Sequence, residues 1–296
     1  MSIECTITAI SSSFLSKANT GLGNVLFQVA STYGLAKSHG RIPSFYQLHQ
    51  FIHKLKAQFG YNHMDTIFRK FSTFATIPST ISCKEQPANF ALQDMNVIDF
   101  IETHPGNNIC LEGYFQSHLY FNNYRNDILD LFSIDNPSLE QIKTKYPVLF
   151  DASHTCISLH FRTSWLHGIQ YSPEYYREAI EYIKARVANP HFMIYADNVN
   201  TIRPFCSSLT VPFTIVEQNP DYIDLWTMSI CKHAILSFST FSWWGAYLNR
   251  NPDKIVVYPH DSMRIVYGLQ PTPQLLDRMT QHYFPEWIPL YSKSIA

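Results

Sequence analysis

Polar side chains follow three apolar segments in the second half of the sequence, each at the point where a buried strand should end. These residues are His160 and Arg162, then Asp197 and Asn198, then Ser237 through Thr240. In open parallel sheets, ligands bind at the carboxyl ends of the strands. A guanidinium is a planar, two-pronged donor, and a helix that starts after hydroxyl residues offers free N–H groups to an anion. Together these residues indicate a site for a phosphate or a nucleotide sugar.

Each residue taken alone also has an ordinary structural interpretation. An arginine after a strand is commonly half of a surface ion pair, and Ser239-Thr240 before a helix can simply cap it. In the first half, "TGLGN" at 20–24 has Gly21 and Gly23 for close backbone approach and Asn24 at a helix start. It lacks the third glycine of a dinucleotide-binding fingerprint. The histidines show no metal-ligand spacing, so we expect no metal site.

Strands and helices alternate through the second half of the chain. The predicted strands are 155–161, 191–197, 211–217, 233–238 and 254–259. Ser172-Pro173 is a typical helix start, a second helix is expected near 221–231, and a third begins at the Ser239-Thr240 segment. Repeated β-α-β units with short connections imply a parallel, doubly wound α/β sheet.

The first half opens in a similar way but is less regular. We predict a strand at 4–10, a helix over 21–40 and a strand, turn and helix over 109–132, whereas residues 42–95 resist assignment. The polar segment 133–154 contains two prolines and is the best candidate for a linker. The economical arrangement is two α/β lobes with a cleft between them, divided into residues 1–145 and 146–296.

Composition limits the functional classes that remain. The 296 residues are 46% hydrophobic, and 22 Lys and Arg balance 23 Asp and Glu. A large core is therefore expected, while a dedicated nucleic-acid surface is not, since that needs a basic excess. Six scattered cysteines without a C-x-x-C pair favour buried, reduced thiols. Without a signal peptide or a long apolar run, we expect a cytoplasmic protein with no transmembrane segment.

Several segments resemble the α-1,2-fucosyltransferase family in order and spacing. They are "GLGNVLFQVASTYGLAKSHG", "LEGYFQSHLYF", "SLHFR", "FMIYADN", "DLWTMSICKHAILSFSTFSWWGAYLNRNPDKIVVYP" and "FPEWIPL". The long segment at 224–259 is the most specific, and only about 42–95 has no matching motif. The resemblance implies two Rossmann-like lobes of GT-B type facing a cleft, with the acceptor side in the first lobe and the donor in the second. It also implies transfer of fucose from GDP-fucose to a galactose-terminated glycan with inversion, without an obligatory metal or further cofactor.

The resemblance also implies roles for individual residues. Arg162 would bind the diphosphate and, with His160, form the catalytic pair, while Asp197 would contact the guanine. Gly23 and Asn24 would reach across the cleft to the phosphate or fucose. The residues lining the phosphate pocket would be Ser239, Thr240 and Phe241. The neighbouring Trp243 and Trp244 would pack their helix rather than touch the ligand.

The sequence departs from the family pattern beside the predicted reaction centre. Where the family has His-x-Arg-Arg-Gly-Asp, this chain has "HFRTSW", with Thr163, Ser164 and Trp165 in place of an arginine, a glycine and an acid; Thr20 and Val25 also differ from the family's "GGLGNQ". Two alternatives therefore stay open beside the active fucosyltransferase. One is a catalytically weakened or silent relative that binds a GDP-sugar or glycan, and the other is a transferase of different sugar or linkage. The sequence does not identify a general base.

Overall fold

The computed structural model describes residues 5–9, 21–45, 48, 52, 60, 62–71, 80–86, 92–163, 173–260 and 281–290. The chain forms two compact units. The first comprises Met1–Ile134 with Gln281–Tyr283, and the second comprises Asp135–Thr280 with Phe284–Ala296. The predicted boundary after residue 145 therefore falls inside the second unit, and a short C-terminal segment belongs to the first.

The first unit contains a four-stranded parallel sheet in the order β2-β1-β4-β3. Its strands are β1 (Thr6–Ala9), β2 (Ile42–Ser44), β3 (Ile81–Lys84) and β4 (Ile109–Glu112). The α-helices with described bounds in this unit are α1 (Leu22–Ser38), α2 (Met95–Thr103) and α3 (Arg125–Leu131). The helix predicted over 21–40 and the strand-turn-helix predicted over 109–132 are thereby confirmed.

The second unit contains a six-stranded parallel sheet in the order β10-β9-β8-β5-β6-β7. Its strands are β5 (Thr155–Phe161), β6 (Pro190–Ala196), β7 (Phe213–Ile215), β8 (His233–Ile235), β9 (Val256–Pro259) and β10 (Ile288–Leu290). The α-helices within its described residues are α4 (Asn136–Lys145), α5 (Pro173–Lys184), α6 (Val199–Ser207), α7 (Asp221–Ile230) and α8 (Thr240–Leu248). The two parallel sheets confirm the predicted α/β fold class.

Several strands are shorter than predicted, β7 and β8 by the most; β9 begins at Val256 instead of at residue 254. The apolar run over 233–238 predicts six residues of strand, but β8 ends at Ile235 because the chain then turns toward α8. The N–H of Ser239 donates to the carbonyl of Ser237 at 2.9 Å, which closes this turn. Likewise, β7 covers only Phe213–Ile215 of the predicted 211–217.

The predicted linker at 133–154 is wrong for most of its length, because the segment contains α4 and a 3₁₀ turn at Pro147–Phe150. The Asp135 carboxylate accepts the N–H of Ser138 at 2.7 Å and so caps α4. Pro137 and Pro147 each lie in the first turn of their helix, where a missing N–H costs nothing. The prolines therefore mark helix starts, and the buried Ile142 anchors α4 in its unit.

All six cysteines are free and buried, which confirms the prediction of buried, reduced thiols. Helices in the described parts of the chain are all too short or too polar to cross a membrane.

Helix α8 packs closely against α7 at Gly245. A Cβ atom placed on Gly245 would lie 2.8 Å from the Cβ of Met228. A side chain at 245 would therefore push the two helices apart. Since α8 follows β8 directly, this contact fixes where its first turn lies at the edge of the sheet.

Candidate functional site

The three polar segments singled out from the sequence emerge at one edge of the second sheet. Strand β5 lies between β6 and β8, with His160 opposite Tyr195 and Leu159 opposite Ile235. The three strands are parallel, and their C-terminal ends lie close together in the pairing register. The residues that follow them therefore share the carboxyl edge of the sheet. In a doubly wound sheet this is the edge where ligands bind.

Arg162, Thr163 and Asp197 form a connected group at this edge. The Nη1 atom of Arg162 lies 3.2 Å from Oδ2 of Asp197. The other carboxylate oxygen, Oδ1, accepts the backbone N–H of Thr163 at 2.7 Å and its hydroxyl at 2.6 Å. The Arg162 side chain is 40% exposed and that of Asp197 only 17%. A half-exposed guanidinium held by a more buried carboxylate leaves donors available to an anionic ligand.

His160 connects this group to the hydroxyl residues after β8. Its side chain is buried, Nδ1 lies 2.6 Å from the Ser237 hydroxyl, and its ring centroid is 5.8 Å from that of Phe241. Burial lowers the pKa of His160 to about 3; the Arg162 charge lowers it further and the Asp197 charge opposes this. The imidazole is therefore neutral near pH 7 and suited to orienting its neighbours rather than exchanging protons.

The start of α8 is built by serine hydroxyls. Ser239 caps the helix, its Oγ accepting the N–H of Phe241 at 3.2 Å. The Ser242 hydroxyl donates back to the Ser239 carbonyl at 3.2 Å. The first turn contains no acidic side chain, so the positive end of the helix dipole is not neutralised from within. Ser239, Thr240 and Phe241, all half-buried, thus present a helix start that suits an anion.

The tryptophan pair packs as predicted. Trp243 and Trp244 are 1% and 0% exposed. The Trp243 ring stacks on Tyr247 with centroids 5.1 Å apart and an interplanar angle of 12°, and it also contacts Phe284 and Trp287. These rings hold α8 in the core of its unit, which stabilises the helix start at the sheet edge.

Gly23 and Asn24 lie in the first turn of α1, in the first unit. The Asn24 side-chain oxygen accepts the Gln116 amide at 2.9 Å. Their predicted donor contacts stay predictions, as do the roles of Arg162, His160, Asp197 and the α8 start.

Sequence reasoning missed three residues that contact the predicted ones. In the sequence Thr163 stands out only as a departure from the family pattern, yet its backbone N–H and its hydroxyl both donate to Asp197. The sequence shows Ser237 only as one of several hydroxyl residues and Gln116 only as part of a family motif, whereas in the structure Ser237 contacts His160 and Gln116 donates to Asn24. Sequence adjacency to Arg162 could have suggested Thr163, but only the fold reveals the other two contacts. Thr20, Ser164 and Trp165 lie outside the described residues.

Two parallel α/β units, one with an arginine and a capped helix start at its carboxyl edge, fit the GT-B class of glycosyltransferases. The chain belongs to glycosyl transferase family 11, whose sequence profile matches residues 5–288. The resemblance to a fucosyltransferase family found from the motifs is thereby confirmed.

Curated relatives agree with this family assignment. The chain is 32% identical over 167 residues to the Escherichia coli O-antigen biosynthesis glycosyltransferase WbnK, covering 52% of this chain and 55% of the relative. It is 25% identical to an Escherichia coli α-1,2-colitosyltransferase, covering 50% and 53%, so the match spans about half the length of these two relatives. A putative galactoside 2-α-L-fucosyltransferase of Caenorhabditis elegans is 25% identical over 79% of this chain and 67% of its own length.

Among solved structures, a mutant of Arabidopsis thaliana FUT1 in complex with GDP superposes with a TM-score of 0.51. The match covers 86% of this chain and 70% of that protein at 12% sequence identity. At this identity the similarity establishes the shared fold and nothing about individual residues.

Proposed function

We propose that this protein is a galactoside α-1,2-fucosyltransferase that moves L-fucose from GDP-fucose to a galactose-containing glycan, with inversion and without an obligatory metal. The observation that carries the proposal is the Arg162 group at the carboxyl edge, linked through His160 to the hydroxyl residues that lead into α8. Family membership and the names of the relatives support the same reaction class.

The proposed reaction breaks the bond between the fucose anomeric carbon and the β-phosphate oxygen. GDP leaves with the electron pair, and the galactose O2 attacks the opposite face of an oxocarbenium-like sugar. The O2 proton passes to solvent or to a base that we do not assign. Negative charge therefore grows on the diphosphate, where preorganised donors lower the barrier most. Arg162 and the N–H groups at the start of α8 supply such donors.

His160 acts in this proposal through its neighbours. A buried, neutral imidazole within hydrogen-bond distance of Ser237 fixes the segment that leads into α8. Asp197 holds Arg162 and contributes to the guanine side of the donor site, while Gly23 and Asn24 serve as donor contacts from α1. In this proposal the first unit supplies the acceptor side, apart from these two donor contacts, and the second unit supplies the rest of the donor side.

The decisive experiment is product analysis with matched acceptors. The protein is incubated with GDP-fucose and a panel of β-galactosides, and GDP release and product linkage are measured. A 2-deoxygalactoside serves as the control because it lacks only the hydroxyl that should attack. We expect an α-1,2-linked product from the galactoside and none from the 2-deoxy analogue; a product with both acceptors would contradict the proposed linkage.

A second candidate keeps the enzyme class and changes the donor sugar. One relative is named an α-1,2-colitosyltransferase, which supports testing GDP-linked sugars other than fucose, colitose among them. Faster GDP release with such a donor would favour this candidate. GDP-fucose binding without GDP release, across all acceptors and donors, would instead favour the silent relative considered from the "HFRTSW" departure.

A further inference from the structure

The turn formed by residues 113–116, after β4 of the first unit, has a strained backbone. Phe115 has a φ of 51°, in the left-handed region that bulky side chains rarely adopt. Such a conformation costs free energy and persists only where surrounding contacts hold it, often near functional sites. Since β4 lies inside the parallel sheet, this turn occupies the carboxyl edge of the first unit.

The Glu85 carboxylate holds this turn from one side. Glu85 directly follows β3, which pairs with β4. Its Oε2 atom accepts the backbone N–H of Tyr114 at 2.8 Å and that of Phe115 at 2.9 Å. The other oxygen, Oε1, is buried and has no hydrogen-bond partner among the described residues. One carboxylate oxygen thus accepts hydrogen bonds from two successive backbone amides of the strained turn.

Gly113 makes room for this carboxylate. A Cβ atom at position 113 would lie 2.5 Å from the Cβ of Glu85 and 2.7 Å from its Oε2. No side chain fits at that distance without displacing Glu85. The glycine and the glutamate therefore form one local arrangement.

Helix α1 holds the turn from the other side and connects it to the predicted donor contact. Gln28 donates to the Gly113 carbonyl at 2.9 Å, and Ser31 donates to the Phe115 carbonyl at 3.1 Å. Gln116, at the end of the turn, donates its side-chain amide to Oδ1 of Asn24 at 2.9 Å. The backbone geometry that Glu85 imposes therefore determines where Gln116 meets Asn24.

We propose that Glu85 is a positioning residue: by holding the turn 113–116, it fixes Gln116 and thereby orients Asn24 toward the donor sugar nucleotide. This inference rests on the proposed function, in which Asn24 contacts the donor. Glu85 itself does not touch substrate in this account.

The hold on the turn depends on pH. Burial raises the pKa of Glu85 to about 7; the two amide hydrogen bonds pull it down and the Asp94 charge raises it further. The other titratable groups that interact electrostatically within this cluster are Tyr120 and Cys83. An ionised carboxylate is a stronger acceptor than a protonated one. The turn is therefore held more weakly as pH falls through about 7.

The test compares Glu85→Gln, Glu85→Ala and Gly113→Ala with Glu102→Gln, an exposed glutamate on α2 that serves as the matched control. Three quantities are measured on the full chain: amide hydrogen exchange at Tyr114 and Phe115, affinity for GDP-fucose, and KM and kcat on both sides of pH 7. Exchange and affinity need no turnover, so they remain informative if fucosyl transfer fails.

We expect Glu85→Ala to speed exchange at both amides about tenfold or more, since one lost hydrogen bond to a charged acceptor is of this size. Donor affinity should weaken and KM should rise by a similar factor, with a smaller change in kcat. Gly113→Ala should reproduce these effects. Glu85→Gln keeps a side-chain carbonyl acceptor, so it should retain most of the wild-type affinity for GDP-fucose. Because its amide does not titrate, the pH dependence of KM should become flatter.

Faster exchange in Glu85→Ala with unchanged donor affinity and KM would overturn the positioning role, as would a Glu85→Gln protein with the wild-type pH profile. If Glu85→Ala does not fold, the pH dependence of KM in Glu85→Gln decides whether Glu85 has the positioning role. If the wild type binds GDP-fucose but transfers no fucose, the proposed function fails alone, because the affinities still test Glu85. A wild type without donor affinity would overturn both.

Discussion

Replacing Arg162 by lysine separates charge from shape at the proposed diphosphate site. Lysine retains the positive charge but loses the planar fork that binds two phosphate oxygens at once. Arg162→Ala removes both. If the guanidinium is preorganised for the leaving diphosphate, the two variants should be graded in activity, with lysine impaired and alanine impaired more.

The size of the effect follows from where the charge develops. Removing one preorganised donor from a developing anion costs about 10²–10³ in rate, or roughly 3–4 kcal/mol. The fold itself should lose little, because the Arg162 side chain is 40% exposed and its ion pair with Asp197 is 3.2 Å long. Pairs of this kind contribute about 0–1 kcal/mol to stability. Asp197 also keeps both hydrogen bonds from Thr163 in the variants.

The assay is kcat/KM for GDP-fucose at a saturating acceptor concentration, with the thermal midpoint measured alongside. Arg177→Lys is the matched control, since Arg177 lies on α5 with its side chain 54% exposed and paired with Glu174 at 3.3 Å. We expect the control to retain wild-type activity. Near-normal transfer by a folded Arg162→Ala protein would refute the assignment of Arg162 to the diphosphate.

The remaining predictions concern ligand binding and stability. GDP alone should raise the thermal midpoint, because a ligand bound only by the folded state stabilises it by mass action, and EDTA should leave the shift unchanged. Asp224→Asn should raise the thermal midpoint above pH 7 but not in acid. Burial raises the pKa of Asp224 to about 7, so the wild type carries a buried negative charge only above that pH. The neutral asparagine avoids this charge and still offers an oxygen to the Asn219 amide, whose hydrogen bond is 2.8 Å long. Arg41→Ala should lower the free energy of unfolding by about 3 kcal/mol, because it strands backbone carbonyls that need donors. Calorimetry and denaturant titration check these expectations, and Arg41→Lys should recover part of the loss.

The sign of the Asp224 prediction follows from proton linkage. Its folded pKa lies above the ordinary value of 3.8, so its contribution to stability is fully present in acid and is lost as pH rises through about 7. The rise in the pKa of Asp224 from 3.8 to about 7 sets an upper bound of about 4 kcal/mol on this loss of stability.

The Arg41 prediction depends on three hydrogen bonds. The buried guanidinium donates at 2.7 Å to the Asn107 carbonyl and at 2.8 Å to those of Ile101 and His104, at the end of α2. A strict need for added Mg²⁺ or Mn²⁺, an Asp224→Asn gain that persists in acid, or an unchanged Arg41→Ala would contradict the respective reasoning.

Segments whose burial is nearly uniform could be predicted from sequence alone. The apolar run at 155–161 is β5 to the residue, and α1 follows the helical spacing of its apolar residues. Residues 42–95 resist assignment from sequence because β2 and β3, the strands in the described part of this range, are three and four residues long and lie at the sheet edges. Strands this short contain too few residues for a period-2 alternation to be recognised.

Contacts between distant residues could not be predicted, and they determine how the site residues are held. Nothing local relates Glu85 to Tyr114 or His160 to Ser237; parallel pairing of β3 with β4 and of β5 with β8 brings them together. Likewise, the positive φ of Phe115 contradicts its residue type, because side-chain acceptors and donors from two elements impose it. Strain of this kind depends on tertiary contacts and is absent from the sequence pattern.

Asp197 shows why a role carried over by resemblance has to be read together with the geometry. The resemblance predicts a contact with the guanine, yet in this structure both carboxylate oxygens face the end of β5, one toward Arg162 and one toward Thr163. A carboxylate has about four acceptor positions, so a base contact is compatible with these bonds but must share their geometry. Any base recognition by Asp197 is then coupled to the orientation of Arg162. The threonine that stands where the family has a second arginine thus lacks that charge, while its hydroxyl adds one hydrogen bond to the carboxylate beside the remaining arginine; the backbone N–H bond would be present with either residue.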